Sequence, residues 1–252
     1  PGFFYLTNHQ FPQSVIDRAY AAMHKFFALP LDEKMKNHYL DWPNHRGYVP
    51  LNGIQADHSL KGSDISEAIE MAADLPEDDP DYLRGLRFYG PNNWPQNPPD
   101  FRWALGTYYD CQIELGRSIY RAFELALDLA PGYFTEKYTK PLSRTRVCYY
   151  PPGDEDFNIA HIGLGAHTDY ECFTLLFATA AGLQILDRQR RWVDVPLVAA
   201  RRDVVTQGCV DEAIAIVGDA KPNRSNSRDC PASSAIRFSA KRLSRLVSSA
   251  SE

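Results

Sequence analysis

At 252 residues, with 44% hydrophobic and 12% aromatic side chains, the chain is long enough to bury a sizeable core and reads as a single domain over 1–252. A net charge of −5 without a basic stripe argues against nucleic acid as the main partner, and no apolar run approaches the roughly 18–20 residues of a membrane span. The five cysteines are scattered, odd in number and lack a C-x-x-C pair, so they read as reduced thiols in a cytoplasmic protein.

Phe3 to Leu6 is a short apolar run ended by Asn8-His9 and predicts a buried strand. Because that strand follows Pro1 at once, a native start upstream is expected. Pro12 opens a helix in which Ile16, Ala19, Met23, Phe26 and Phe27 share one face, and Pro30 stops it. Gly and Pro between 41 and 64 predict loops around a short strand near Tyr48, and Leu75–Pro99 reads as a long surface connection. A long helix is expected from Asp100 to Leu129, with Phe101, Leu105, Tyr108, Leu115, Ile119, Ala122, Ala126 and Leu129 as its stripe. At ~1.5 Å per residue it spans roughly 45 Å, a scaffold length.

From Arg144 the hydrophobic period shortens. Thr145–Tyr150, Phe173–Phe177, Gly182–Leu186 and Trp192–Pro196 read as short strands, and Arg188–Arg191 as a charged hairpin turn. Helices followed by strands indicate an α+β chain: residues 1–140 mainly helical, then a double-sheet jelly roll of the cupin type over 141–198. Residues 199–252 read as a divergent tail whose end, from Lys241, is either a short basic helix or disordered. Ala213–Val217 is the one strand-like run singled out there.

His167-Thr168-Asp169 carries the chemistry. Residues i and i+2 of a strand project from one face, so this spacing aims an imidazole and a carboxylate at a common point. Gly163 and Gly165 beside them allow close backbone approach. The pair is two thirds of the 2-His-1-carboxylate set that holds non-haem Fe(II) with open positions. The seven histidines are 9, 24, 38, 45, 58, 161 and 167, so none follows the pair. His161 shares the strand parity of His167 and reads as a packing or substrate-contact residue. Arg144 and Arg146 share parity with each other, facing either inward or solvent.

These residues occur with Gly2-Phe-Phe-Tyr5, Phe26-Phe-Ala-Leu-Pro30, Gly90-Pro-Asn-Asn-Trp-Pro95, Arg146 to Pro152, Gly182-Leu-Gln184 and Trp192-Val-Asp-Val-Pro196. In that order and spacing, over about residues 1–198, the chain resembles the isopenicillin N synthase-like Fe(II)/2-oxoglutarate-dependent dioxygenases. The resemblance implies a double-stranded β-helix (jelly-roll) core with N-terminal and long scaffold helices. It also implies Fe(II), 2-oxoglutarate and O2 acting together to hydroxylate, desaturate or cyclise a small-molecule substrate. His167 and Asp169 match the first two iron ligands, and Tyr150 matches a residue lining the co-substrate site. Cys148 stands where the family usually has Asn. Arg237 and Ser239 fit the Arg-x-Ser clamp for the far carboxylate of 2-oxoglutarate, a sound use of guanidinium and hydroxyl. The family's distal histidine falls near Ser227-Arg228, and neither residue supplies it. Two alternatives stay open: a catalytically inactive binding protein on the same fold, and an oxidase that does not use 2-oxoglutarate. The joint loss of strand pattern and histidine fits an altered reading frame or splice better than the loss of one ligand.

Overall fold

The computed structural model describes residues 3–6, 9–51, 53, 65–151, 163–167, 169, 172–187, 189–196, 203–206 and 214–216. In chain order the elements are β1 (Phe3–Tyr5), α1 (Gln13–Phe27), α2 (Leu31–Met35), β2 (Gly47–Val49), β3 (Glu67–Ala72), α3 (Pro80–Leu83) and α4 (Phe101–Ala126). They continue with β4 (Arg144–Tyr149), β5 (Leu164–His167), β6 (Thr174–Phe177), β7 (Leu183–Leu186), β8 (Trp192–Asp194), β9 (Asp203–Thr206) and β10 (Ile214–Ile216). They fall into two compact units. One draws on described residues within Pro1–His9, Tyr48–Glu70 and Arg146–Ala235, the other on those within Gln10–Gly47 and Met71–Thr145.

The second unit is built on α1 against α4. The apolar face of α1 expected from its period is the buried one: Ile16, Ala19, Met23, Phe26 and Phe27 are all inside, joined by Val15 and Ala22. Phe26 meets Phe101 at a ring-centroid distance of 5.2 Å, and Phe11 meets Tyr108 at 5.4 Å. Helix α4 runs for 26 residues, about 39 Å at the α-helical rise. Its buried stripe follows the expected one as far as Ile119 and then passes to Phe123, leaving Ala122 exposed. The larger ring takes the core position because it removes more apolar area from water.

Two buried charges hold this unit's loops. Arg46 is 2% exposed, and its guanidinium donates to the carbonyls of Ala73 (2.8 Å), Gly90 (2.8 Å) and Phe88 (2.6 Å) and to Asn92 Oδ1 (3.1 Å). Burial pulls its pKa down to about 10. Asn92 in turn bonds both backbone groups of Ala72, accepting from N at 3.0 Å and donating to O at 2.7 Å. Asp74 accepts from Asn92 N, Trp94 Nε1 and Arg102. The Gly90–Pro95 motif is thus a brace between Arg46 and the end of β3. Gly47, next to Arg46, has φ +127°, and a Cβ there would stand 2.3 Å from the Asn37 carbonyl oxygen, so only glycine fits. At the other end, the Glu124 carboxylate accepts from the backbone N–H of Gly132 (3.0 Å), Phe134 (2.8 Å) and Thr135 (3.1 Å). Burial pushes its carboxyl up, but the three N–H donors outweigh it and hold it below the usual range.

The first unit carries two antiparallel sheets, in the orders β1-β9-β6 and β5-β10-β7-β8. Leu183, Ile185 and Val195 form a buried cluster against which Phe3, Tyr5 and Leu176 pack, so side chains of both sheets share one core. The Tyr5 hydroxyl donates to the Pro196 carbonyl at 2.5 Å. The expected turn before Trp192 is there, and the Asp187 carboxylate accepts from the backbone N–H and guanidinium of Arg191. A further three-stranded sheet has the order β2-β3-β4.

Two elements differ from the sequence expectation, and a third, β3, falls where the sequence suggested none. Strand β3, Glu-Ala-Ile-Glu-Met-Ala, consists mostly of good helix formers, and sheet pairing overrides that propensity. Within the expected surface connection, α3 forms because Asp79 caps it, accepting from Asp81 N at 2.9 Å and Tyr82 N at 3.3 Å, with Pro80 in its first turn. Strand pairing also continues past residue 198: β9 lies between β1 and β6, and β10, inside the run expected at Ala213–Val217, lies between β5 and β7. The rest of the 199–252 tail expectation lies outside the described residues. Cys111, Cys148 and Cys172 are free thiols, and among the described residues no helix is long and apolar enough to cross a membrane.

Arg46→Met keeps bulk but abandons four buried acceptors. It should lower the unfolding free energy in urea by about 2–4 kcal/mol, with Arg46→Lys intermediate; an unchanged midpoint would contradict the brace. For Glu124 the folded pKa lies below the unfolded one, so the unfolded state binds more protons as acid is added. Its contribution is complete above the ordinary glutamate range, near about pH 4.3, and is lost below it. Glu124→Gln should therefore flatten the fall of the urea midpoint between about pH 5 and pH 3.

Candidate functional site

Strand β5 ends on His167, and Asp169 follows two residues on. The pairing of β5 with β10 fixes the backbone beneath the imidazole: Ile214 stands opposite His167 and Ile216 opposite Leu164, with an irregularity between them. The side chains meet as the His-x-Asp spacing requires, with His167 Nε2 3.4 Å from Asp169 Oδ1. Both are part-buried, at 29% and 18% side-chain exposure, dry enough for electrostatic strength and open enough for a ligand.

Each partner is oriented by a second contact. His167 Nδ1 lies 2.9 Å from the Gly165 carbonyl oxygen. With the proton on Nδ1, that contact is a donated hydrogen bond and Nε2 carries the lone pair, the tautomer a metal needs. On the other side, the Thr174 hydroxyl at the start of β6 donates to Asp169 Oδ2. In the metal-free pair a hydrogen bond from a proton on His167 Nε2, the proton whose place a divalent cation would take, holds the Asp169 carboxyl below the usual carboxylate range, against the opposing effect of burial and with help from Thr174. An ionised oxygen beside an unprotonated imidazole nitrogen is a donor set of the kind that binds divalent first-row metals. The pair fits two corners of the facial set. Among the described residues, no group of three or more His, Cys, Asp or Glu is placed to hold a metal ion.

Tyr150 follows β4 directly, and its hydroxyl is buried. On the same strand face Arg146 binds Glu70 of β3 at 2.6 Å, part-buried and held by a partner. Arg144 donates to the His45 carbonyl at 2.7 Å. Arg237, Ser239 and His161 lie outside the described residues. The structure therefore brings His167 and Asp169 together and adds Thr174 and the Gly165 carbonyl. Sequence reasoning had no hold on Thr174, because a hydroxyl at the start of a strand is an ordinary β residue until its partner is known.

Residues 1–97 match the family model described as non-haem dioxygenase in morphine synthesis N-terminal, and residues 141–209 match the 2OG-Fe(II) oxygenase superfamily. The chain is 34% identical over 207 residues to a 2-oxoglutarate-Fe(II) type oxidoreductase, hxnY, of Emericella nidulans, covering 79% of this chain and 59% of that protein. It is 35% identical over 191 residues to kihadalactone A synthase LFS of Citrus sinensis, covering 73% of this chain and 56% of that one. The chain thus spans less than two thirds of the length of these relatives. Its fold is similar to the crystal structure of a 2OG-Fe(II) oxygenase family protein from Caulobacter crescentus. The TM-score is 0.71 at 25% identity, covering 88% of this chain and 72% of that one.

Proposed function

The chain belongs to the 2-oxoglutarate-Fe(II) oxygenase family, and from that premise we propose that it oxidises a small organic metabolite with Fe(II), 2-oxoglutarate and O2. The reaction class is hydroxylation, desaturation or ring closure, carried out at the mouth of a double-stranded β-helix core. The single observation that carries this reading is the approach of His167 Nε2 to Asp169 Oδ1 at 3.4 Å, with each side chain oriented by a second contact.

In this reading His167 and Asp169 would hold the iron, which with 2-oxoglutarate and O2 would supply the oxidant for a substrate C–H bond. The protein's own residues bind and orient. His167 supplies a neutral nitrogen whose ring plane is set by the Gly165 carbonyl. Asp169 would supply one negative charge that offsets part of the metal's charge. Tyr150 lines the co-substrate site, and Arg237 with Ser239 clamps the far carboxylate of 2-oxoglutarate, where guanidinium geometry suits a bidentate contact. A second reading, a binding protein on the same fold, is favoured by the position of the seven histidines, none of which follows His167.

An anaerobic titration of the purified chain with Fe(II) and 2-oxoglutarate, beside His167→Ala, tests the proposal. Stoichiometric binding of both is expected, weakened more than about 100-fold in the variant, since even an outer-shell partner typically costs about 10–100-fold. A folded chain that takes up neither would sink the oxygenase reading and leave the binding role.

A further inference from the structure

We infer that a cleft along helix α4, in the helical unit, binds a small organic cation: an ammonium group carried on an apolar or aromatic body. Its lining includes Asp74, Trp94, Arg102, Trp103, Gly106 and Asp110 and none of the residues assigned to iron or 2-oxoglutarate. Its volume is about 620 Å³, inside the roughly 300–1,000 Å³ range of small-molecule sites.

Trp103, Gly106 and Asp110 recur at three- and four-residue intervals and so share one face of α4. Glycine inside a helix is costly, because it gives up more backbone freedom than alanine on folding. Packing does not demand it here, since a Cβ built at Gly106 would meet nothing within 4 Å. The missing side chain instead leaves room beside the helix backbone, on the face that lines the cleft.

The charges of the cleft do not balance. Asp74 accepts from Arg102 at 3.0 Å, and also from Trp94 Nε1 and the backbone N–H of Asn92. Arg102 therefore answers Asp74 and leaves Asp110 over. Among the described residues Asp110 has no ion pair and no hydrogen-bond partner, and loss of part of its hydration pushes its carboxyl up. A ligand cation would supply what that carboxylate lacks, in a charge-assisted hydrogen bond. The indoles suit the same ligand, because an aromatic face attracts cations. Trp103 already does so: the Arg18 guanidinium lies 4.2 Å from its ring centroid. With that contact made, Trp103 is still 56% exposed, so ring area remains for a ligand.

Calorimetric titration of the full chain with 2-phenylethylammonium, 2-phenylethanol and phenylacetate decides it, since the three share a phenyl body and differ in charge. The ammonium should bind with a dissociation constant of about 1 mM, the reach of a ligand this small. The alcohol should bind at least about fivefold more weakly, lacking the charge-assisted bond, and phenylacetate should not bind. Asp110→Asn should bring the ammonium down to the affinity of the alcohol. Gly106→Ala should raise the urea midpoint, alanine being the better helix former, yet weaken the ammonium about tenfold. In ¹H–¹⁵N spectra the indole N–H signals of Trp94 and Trp103, identified by their loss in the phenylalanine variants, should move with the ammonium while those of Trp42 and Trp192 stay. Equal binding of the three probes, or unchanged ammonium affinity in Asp110→Asn or Gly106→Ala shown folded by circular dichroism, overturns the site. So does the absence of heat and of indole shifts at about ten times the expected dissociation constant. Each of these outcomes leaves the iron reading untouched.

Discussion

Strand β5 can present His167 only if its own backbone is paired, and among the described residues that pairing comes from β10. Buried backbone donors and acceptors left unpaired cost as much as lost hydrogen bonds, so an unpaired β5 would not hold a fixed line. β10 satisfies β5 on one side and β7 on the other, with Ile214 opposite both His167 and Ile185. The imidazole is thereby referred to the same sheet that carries Leu183 and Ile185 into the core. Everything further out at the site, from the Gly165 carbonyl on Nδ1 to the approach of Asp169, builds on that ladder.

The orientation of the pair follows a second principle: each of the two side chains has a further polar partner, and those partners come from different strands. Gly165 lies on β5 itself, whereas Thr174 arrives on a strand of the other sheet. A donor pair oriented from two directions has little reorganisation left when a ligand arrives, which is what precise binding geometry requires.

The helical unit uses the same physics without any chemistry. Arg46 and Glu124 are buried charges whose hydrogen bonds go to neutral groups, mostly of the backbone, with Asn92 Oδ1 the one side-chain acceptor given for Arg46. Four acceptors converge on one guanidinium and three backbone donors on one carboxylate, which recovers much of the hydration each lost. Because those partners are carbonyls and N–H groups of particular loops, each charge fixes the path of the main chain around it. The Gly90–Pro95 run, so conspicuous in the sequence, serves this bracing through Asn92 and Asp74.

The sequence by itself determined the elements whose signal is local and the chemical identity of the donor pair. The 3.6-residue stripes of α1 and α4, the short apolar runs of β6 and β7 and the His-x-Asp spacing each sit within a few turns or one strand, where side-chain period and backbone geometry are coupled. Tertiary structure alone decided the rest. Helix-forming residues became β3 because pairing on a sheet outweighs intrinsic propensity, and Val204-Val205, too short and too closely flanked by arginines to stand out, became the middle of a sheet as part of β9. Arg46, Glu124 and Thr174 acquired their roles from partners distant in the chain or in an adjoining loop. No periodicity encodes such partners, because a hydrogen bond across a fold depends on where two backbones come to rest and not on the spacing of either one.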